Sequence, residues 1–325
     1  MKNKKKEANN IAILTSGGDA PGMNAAIRAV FLTAFNKGFT VYGIKDGYLG
    51  LYRNQIELLT QKHFERVMNL SGTLLGTSRF VVFKEDENIR QICVDNLKKM
   101  NITKIIIIGG DGSYRGAIEL TKLGIQCIGI PATIDNDIKD TDFTIGFSTA
   151  LNNIVLAIEK LRDTSISHNR CSIIEVMGKY TGDLALYGGI ATGADLIITH
   201  ENILDKQRLL DKIKYFYNTN KRHLIIVITE HIFNVYQLAQ EIEKYSGFES
   251  RAQILGHLQR GGTPTAEDLI LASKMGNYAV NLLEQNIFNC AIGVHGLKLN
   301  YTSFESVFNF SSTPNELFQL LNYLS

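Results

Sequence analysis

Ile11-Ala12-Ile13-Leu14-Thr15-Ser16-Gly17-Gly18-Asp19-Ala20-Pro21-Gly22-Met23-Asn24 reads as a strand, a glycine-rich turn and the start of a helix. Ile11–Thr15 is uniformly apolar up to a final threonine, which suits a strand covered on both faces as in a parallel sheet. Pro21–Lys37 follows at helical period, with Met23, Ala26, Ile27, Val30, Phe31 and Ala34 on one face, and Gly38 supplies a stop. The pattern repeats outward. Thr40–Ile44 is the next strand, then Lys104–Ile108, a helix over Arg115–Leu123, and Cys127–Ile130. Ser172–Val176, Asp195–Thr199, Leu224–Thr229 and Cys290–Val294 share the same aliphatic character. Phe147, Ala150, Leu151, Ile154, Val155, Ile158 and Leu161 form a helical stripe expected to be core, as are Val280–Leu283 and Leu317–Leu321. Strands alternating with helices give right-handed crossovers, so the expected fold is α/β, with two doubly wound, largely parallel-sheet domains.

Composition narrows the function. In 325 residues, 34 Lys+Arg against 32 Asp+Glu leave a formal charge of +2, which argues against a nucleic-acid or membrane partner held by electrostatics. At 45% hydrophobic and 20% charged the chain is globular, and its length suggests roughly two domains. No stretch approaches the ~18 apolar residues of a membrane helix. The charged run Lys2–Glu7 has no apolar signal region after it and reads as a solvated tail. Cys93, Cys127, Cys171 and Cys290 form no C-x-x-C pair, so neither zinc nor a disulfide frame is expected, and the chain reads as cytoplasmic.

Ligands of doubly wound sheets bind beyond the C-terminal strand ends, and four such places carry unusual chemistry. Gly17 and Gly18, between a strand and a helix, suit an oxyanion held by backbone amides, or simply a tight turn. The loop is neither a Walker A sequence nor G-x-G-x-x-G. Gly109-Gly110-Asp111-Gly112-Ser113 suits a magnesium-bound polyphosphate, with Asp111 on the metal or merely capping the helix. Pro131-Ala132-Thr133-Ile134-Asp135-Asn136-Asp137 carries two acids that form either a solvated turn or a divided pair, one taking a hydroxyl proton and one ordering the metal shell. Arg79, Arg170, Lys179, Arg251, His257 and Arg260 are cations near strand ends, suited to a sugar phosphate if they converge. His200-Glu201 is not part of H-E-x-x-H. A magnesium-dependent phosphotransferase acting on a phosphorylated small molecule follows from these features.

The same motifs carry a family resemblance. Leu14–Asn24, Gly109–Ser113 and Thr133–Asp137, continued by Glu175-Val176-Met177-Gly178-Lys179 and Gly256-His257-Leu258-Gln259-Arg260-Gly261-Gly262, resemble the bacterial ATP-dependent 6-phosphofructokinases from about Ile11 to about Val294. The resemblance implies phosphorylation of the 1-hydroxyl of fructose 6-phosphate by MgATP. It implies that Gly17, Gly18, Tyr48, Arg79, Phe80 and Gly110, Asp111, Gly112 and Ser113 hold ATP, with Asp111 on Mg²⁺. Asp135 would be the general base, Thr133 would lie close to the transferring phosphate, and Asp137 would support the metal. Met177, Gly178, Lys179, Glu230, His257 and Arg260 would contact the sugar phosphate, with Arg170 and Arg251 reaching that site from a neighbouring subunit of a homotetramer. It also implies discontinuous domains: 1–145 plus about 258–308 for ATP, and about 146–257 plus 309–325 for the sugar phosphate.

Pyrophosphate-using relatives typically carry an acid at Gly112 and a lysine at Ala132, so the resemblance favours ATP as donor, although Ala132 is not the usual glycine. Lys179 stands where the family has arginine. At the family's effector site this chain keeps Arg28, Arg162 and Lys221, but has Leu32, Gln61 and Thr219 where cations are expected and Asp195 for a glutamate. Each lost charged contact is worth roughly 1.5–3 kcal/mol, so ADP activation is expected to be feeble or absent. A pyrophosphate-dependent enzyme and a catalytically silent sugar-phosphate or nucleotide sensor are the competing readings. The sensor is disfavoured because Arg79, Asp111, Asp135 and Asp137 are all present while the effector cations are depleted. A nicotinamide dehydrogenase lacks its glycine fingerprint.

Overall fold

The computed structural model describes residues 9–309 and 316–324, and the Lys2–Glu7 run lies outside them. The chain runs β1 (Asn10–Ser16), α1 (Met23–Asn36), β2 (Thr40–Ile44), α2 (Gly47–Tyr52), β3 (Ile56–Leu58), α3 (Val82–Glu85), α4 (Glu87–Lys99), β4 (Ile102–Gly109), α5 (Asp111–Lys122) and β5 (Gln126–Pro131). It continues through α6 (Phe147–His168), β6 (Cys171–Val176), α7 (Asp183–Ala191), β7 (Leu196–Ile198), α8 (Lys206–Asn218), β8 (Leu224–Thr229), α9 (Val235–Ser246) and β9 (Ser250–Ile254). The last elements are α10 (Ala266–Glu284), β10 (Cys290–His295), β11 (Lys298–Ser303), α11 (Phe304–Asn309) and α12 (Leu317–Leu324). These elements form two compact units, one of residues 9–133, 138–148 and 262–309, the other of 134–137, 149–261 and 316–324.

The first unit holds a seven-stranded sheet in the order β11-β10-β5-β4-β1-β2-β3. The order turns around at β1 and β4, which pair in parallel with Ser16 opposite Gly109. That is the topological switch point, where two strand ends open side by side for a ligand. Alternation along β1 sends Ala12 and Leu14 to the face covered by α4 and α5, where Val94, Leu97, Tyr114, Ala117 and Leu120 pack. Beyond the sheet α1 meets α10 so closely that a Cβ on Gly276 would stand 2.8 Å from the Ala26 carbonyl. Burying each isoleucine or leucine of this core contributes roughly 1.5–3 kcal/mol. The second unit is a four-stranded, all-parallel sheet in the order β7-β8-β6-β9. Its core gathers Ile173, Leu196, Ile198, Leu209, Ile213, Leu224, Ile226, Leu238 and Ile242.

Three strands escape the apolar pattern. β3 and β11 are antiparallel edges of the first sheet, and β11, the last strand in the order, reads Lys-Leu-Asn-Tyr-Thr-Ser. β9, Ser-Arg-Ala-Gln-Ile, is a polar edge of the second sheet. The helix expected from Arg115 begins at Asp111, because Gly110 takes an extended N-cap conformation and the first turn tolerates Gly112 and Ser113. In the α6 stripe Phe147, Ala150, Ile154 and Ile158 are buried, whereas Leu151, Val155 and Leu161 are half-buried. Among the described residues no helix is long and apolar enough to cross a membrane.

Candidate active site

In the first unit the two glycine loops and the start of the carboxylate loop are tied together by their own backbones. Gly17 sits at φ 89°, a left-handed conformation that favours glycine, and its carbonyl accepts from Thr77 Oγ1 at 2.7 Å. Ser113 Oγ donates to the Ser16 carbonyl at 2.9 Å, linking the second loop to the first. Gly109 makes that link possible, since a Cβ there would stand 2.4 Å from Ser16 O. Gly110 faces Thr133, whose Cβ would lie 3.7 Å from an added Cβ. Gly18 and Gly112 are exposed, and a side chain on Gly112 would meet nothing within 4 Å. The N-terminus of α5 at Gly112 therefore borders free space, the usual setting for a bound oxyanion.

Asp111 is the first residue of α5 and does not cap it; Gly110 holds the cap position without a side-chain bond. The Asp111 carboxylate is partly exposed and pairs with Arg115 at 3.2 Å, leaving a hard oxygen donor in reach of solvent. Arg79 is exposed, and Phe80 lies against Tyr52 with ring centroids 5.7 Å apart. Tyr48 is buried, stacked on Phe83 and fitted over Gly116, where a Cβ would meet its ring at 2.5 Å. Its hydroxyl donates to the Ser113 carbonyl at 2.7 Å, so in this structure Tyr48 supports the phosphate loop from beneath. Burial raises its pKa well above the ordinary 10.0.

The second unit gathers Asp135, Asp137, Lys179, Glu230 and Arg260. Asp135 is 7% exposed, and burial, reinforced by Asp137 and opposed by Arg260, pushes its carboxyl up to about 6. Lys179 Nζ donates to Asp137 Oδ2 at 2.8 Å. The lysine stands at φ 57°, next to Gly178 at φ 149°, and this sharp turn after β6 aims its N–H at Glu230 Oε1, 2.8 Å away. Thr181 Oγ1 donates to the Asp135 carbonyl at 2.7 Å, and Asn136 Nδ2 to Asp183 Oδ2 at 2.8 Å. Gln259, fully buried, accepts the Met177 N–H at 3.1 Å, while Asn153 Nδ2 donates to the Gly261 carbonyl at 2.8 Å. Glu230, Met177 and the 3₁₀ turn Gly256–Arg260 thus all follow C-terminal strand ends, with His257 exposed on that turn.

Arg170 and Arg251 do not join them. They lie at the N-terminal ends of β6 and β9, where Ser172 is paired with Arg251, roughly 15–20 Å of strand away from Met177. Glu249 Oε1 accepts from both, from Arg170 Nε at 2.9 Å and from an Arg251 terminal nitrogen at 2.6 Å. The expected effector residues are also engaged within the chain. Arg162 donates to the Thr192 carbonyl and pairs with Glu159, and Lys221 pairs with Asp195. Asp195 in turn accepts the Ile225 N–H at 2.7 Å, and Arg28 on α1 is half-buried.

Sequence reasoning did not single out Thr181, Asn153, Asp183 or Glu249. Gln259 lay inside a quoted motif, flanked by more conspicuous residues. Its signal was an amide between two glycine-bounded turns; Thr181 and Asn153 have none, because they act on backbone atoms that only the fold brings near.

A protein-family model described as phosphofructokinase matches residues 10–283. An ATP-dependent 6-phosphofructokinase of Tolumonas auensis is 54% identical over 87% of this chain and 88% of its own length, and one of Vibrio campbellii 52% over the same shares. Among solved structures, the phosphofructokinase of Pichia pastoris in the T-state superposes with a TM-score of 0.87 at 28% identity, covering all of this chain but 37% of that one. A pyrophosphate-dependent phosphofructokinase of Nitrosospira multiformis has the same fold, with a TM-score of 0.86 at 20% identity over 95% of this chain and 86% of that one. With a family match across most of its length and relatives at about half identity, the chain belongs to the phosphofructokinase family.

Proposed function

We propose that the chain is an ATP-dependent 6-phosphofructokinase, transferring the γ-phosphoryl of MgATP to the 1-hydroxyl of fructose 6-phosphate, a step of glycolysis. The observation that carries this reading is Asp135: a buried carboxyl held near 6, two residues on from the threonine beside the Gly110 loop. At neutral pH it is ionised yet basic enough to take a hydroxyl proton. The amides of the Gly17–Gly18 and Gly110–Ser113 loops bind phosphate oxygens, and Arg79 and Phe80 flank the nucleotide. Thr133 lies close to the transferring group. Asp111, whose partly exposed carboxylate offers a hard oxygen donor, would hold magnesium. When bound, it neutralises charge on the phosphates, as in other phosphoryl transfers. Lys179 and Arg260 supply cations, Glu230 holds the loop that carries Met177 and Gly178, and Asp137 is oriented by Lys179. Phosphorus NMR of the product tests the reading: a new phosphate ester on carbon 1 with stoichiometric ADP supports it, and unchanged fructose 6-phosphate refutes it.

The two units serve as the ATP-binding and sugar-phosphate-binding domains, each built from separated stretches. Arg170 and Arg251, remote from Met177 in the same chain, serve the sugar site of a neighbouring copy in a cytoplasmic homotetramer. ATP is the donor, as in the names of the relatives at half identity. Gly112→Asp would place a carboxylate in open space, where it cannot disturb packing but repels the nucleotide. It is expected to raise KM for ATP about tenfold or more with an unchanged melting temperature. Wild-type ATP kinetics in that variant would refute the donor argument. Because Arg162 is engaged by Glu159 and the Thr192 carbonyl, and Lys221 by Asp195, ADP is expected to give little activation. Calorimetric titration showing tight ADP binding that Arg162→Ala abolishes would contradict this.

A further inference from the structure

After Asp137 the chain passes through 138–146, and in the first unit this segment is fastened to the β10–β11 hairpin around one imidazole. His295 Nδ1 lies 3.0 Å from Asp142 Oδ1, and its Nε2 lies 3.1 Å from Asp140 Oδ1. The second oxygen of Asp142 accepts the Gly296 N–H at 2.6 Å, and that of Asp140 takes Asn300 Nδ2 at 3.4 Å. The Asp142 N–H donates to the Val294 carbonyl at 2.8 Å, and the Val294 N–H to Thr141 Oγ1 at 3.0 Å. Asp140 stands at φ 60°, in the left-handed region that a residue with a Cβ seldom adopts. Gly293 admits it, since a Cβ there would stand 2.2 Å from the Asp140 carbonyl.

The other limb of the same segment carries Thr133. Thr144 Oγ1 donates to the Thr133 carbonyl at 2.6 Å, the Thr133 N–H to the Ile145 carbonyl at 3.0 Å, and the Ile145 N–H to the Pro131 carbonyl at 3.0 Å. Only an imidazolium donates from both ring nitrogens; a neutral ring keeps one bond and turns a lone pair toward the other carboxylate. We propose that His295 is a positioning residue of the phosphoryl-transfer site: as imidazolium it ties Asp140 and Asp142 to the hairpin and so steadies the limb that holds Thr133. The role of Thr133 rests on the function proposed above, whereas the clamp itself does not.

The clamp depends on pH in a definite direction. The Asp142 hydrogen bond, with burial working against it and Asp140 reinforcing it, raises the His295 pKa above its ordinary 6.5. The cations around it are Lys139 beside Asp140, Lys298 opposite His295 in the hairpin register, and Lys274 on α10, which donates to the Leu297 carbonyl at 3.2 Å. A pKa raised on folding means the stabilisation is whole below about 6.5 and is lost as pH rises through the folded value.

The test is hydrogen exchange at Asp142 and Ile145, corrected for intrinsic rates, in the full chain, His295→Gln and Asp140→Asn, together with kcat and KM over pH. At neutral pH either substitution is expected to speed exchange roughly three- to tenfold. kcat should fall by a similar factor, and KM for fructose 6-phosphate should barely move. Wild type should converge on His295→Gln as pH rises above 6.5 and through the folded value. Equal exchange in all three proteins overturns the clamp, and faster exchange with unaltered kcat overturns the positioning role. If wild type turns over no sugar phosphate, the function reading has failed while exchange still decides the clamp.

Discussion

Asp135→Asn is expected to lower kcat by about 10²–10⁴-fold while leaving KM for fructose 6-phosphate largely intact, the range a positioned general base contributes. The same substitution should make the protein more stable at neutral pH. Burial, then the Asp137 charge, raise the Asp135 carboxyl from 3.8 to about 6. A carboxyl whose pKa rises on folding favours the folded state only while protonated. Its ionisation costs stability progressively between the two values and in full above about 6. That cost is about 3 kcal/mol, and a neutral amide of the same shape avoids it. Activity and stability therefore move in opposite directions, which a merely structural carboxylate would not produce. In wild type, kcat/KM for the sugar should decline as pH falls through about 6, because the base becomes protonated. Full turnover in Asp135→Asn, or a loss of stability matching the loss of rate, would refute the assignment.

Gly109→Ala is expected to damage nucleotide binding and folding together. The added methyl would stand 2.4 Å from both Ser16 O and Ser113 Oγ, so the 2.9 Å bond between the two phosphate loops must break or β1 and β4 must part. Overpacking of this kind costs about 1–3 kcal/mol, and the lost hydrogen bond about 1 kcal/mol more. Gly112→Ala is the internal control, because its methyl meets nothing within 4 Å. Thermal melts and KM for ATP on both variants decide the matter. A lowered melting point with at least a tenfold rise in KM is expected for Gly109→Ala alone. Matching behaviour of the two variants would show that the loops are not held by this contact.

The glycine loops of the first unit were legible because their chemistry is local. Gly17 and Gly109–Ser113 each sit at the end of an apolar strand, and a parallel register brings Ser16 and Gly109 level without further information. The second unit was legible as motifs rather than as geometry. Lys179 was read as a cation near a strand end, and the fold also pairs it with Asp137. Arg170 and Arg251, grouped with Arg260 as cations near strand ends and set apart from it only by the family resemblance, stand at the other end of the sheet, shared by Glu249. Sequence distance carries no hint of the Lys179–Asp137 and Arg170–Glu249 pairings, whose partners lie far apart in the chain and meet only in the fold. Tyr48, expected against the nucleotide, stacks on Phe83 and fits over Gly116 through packing on α5, which the sequence did not reveal. β3, β9 and β11 were missed for a common reason: an edge strand needs less apolar surface than a central one. The His295 clamp was unreadable, since Asp140, Asp142 and His295 become a unit only when the hairpin folds back on the carboxylate loop.

Transfer of phosphate from ATP to the sugar is tested by a single assay. Purified chain is supplied with fructose 6-phosphate and Mg²⁺, with ATP and pyrophosphate as parallel donors, and fructose 1,6-bisphosphate is quantified. Turnover with ATP and none with pyrophosphate is predicted. Turnover with pyrophosphate alone would keep the sugar chemistry and overturn the donor, and no product with either would contradict the account outright.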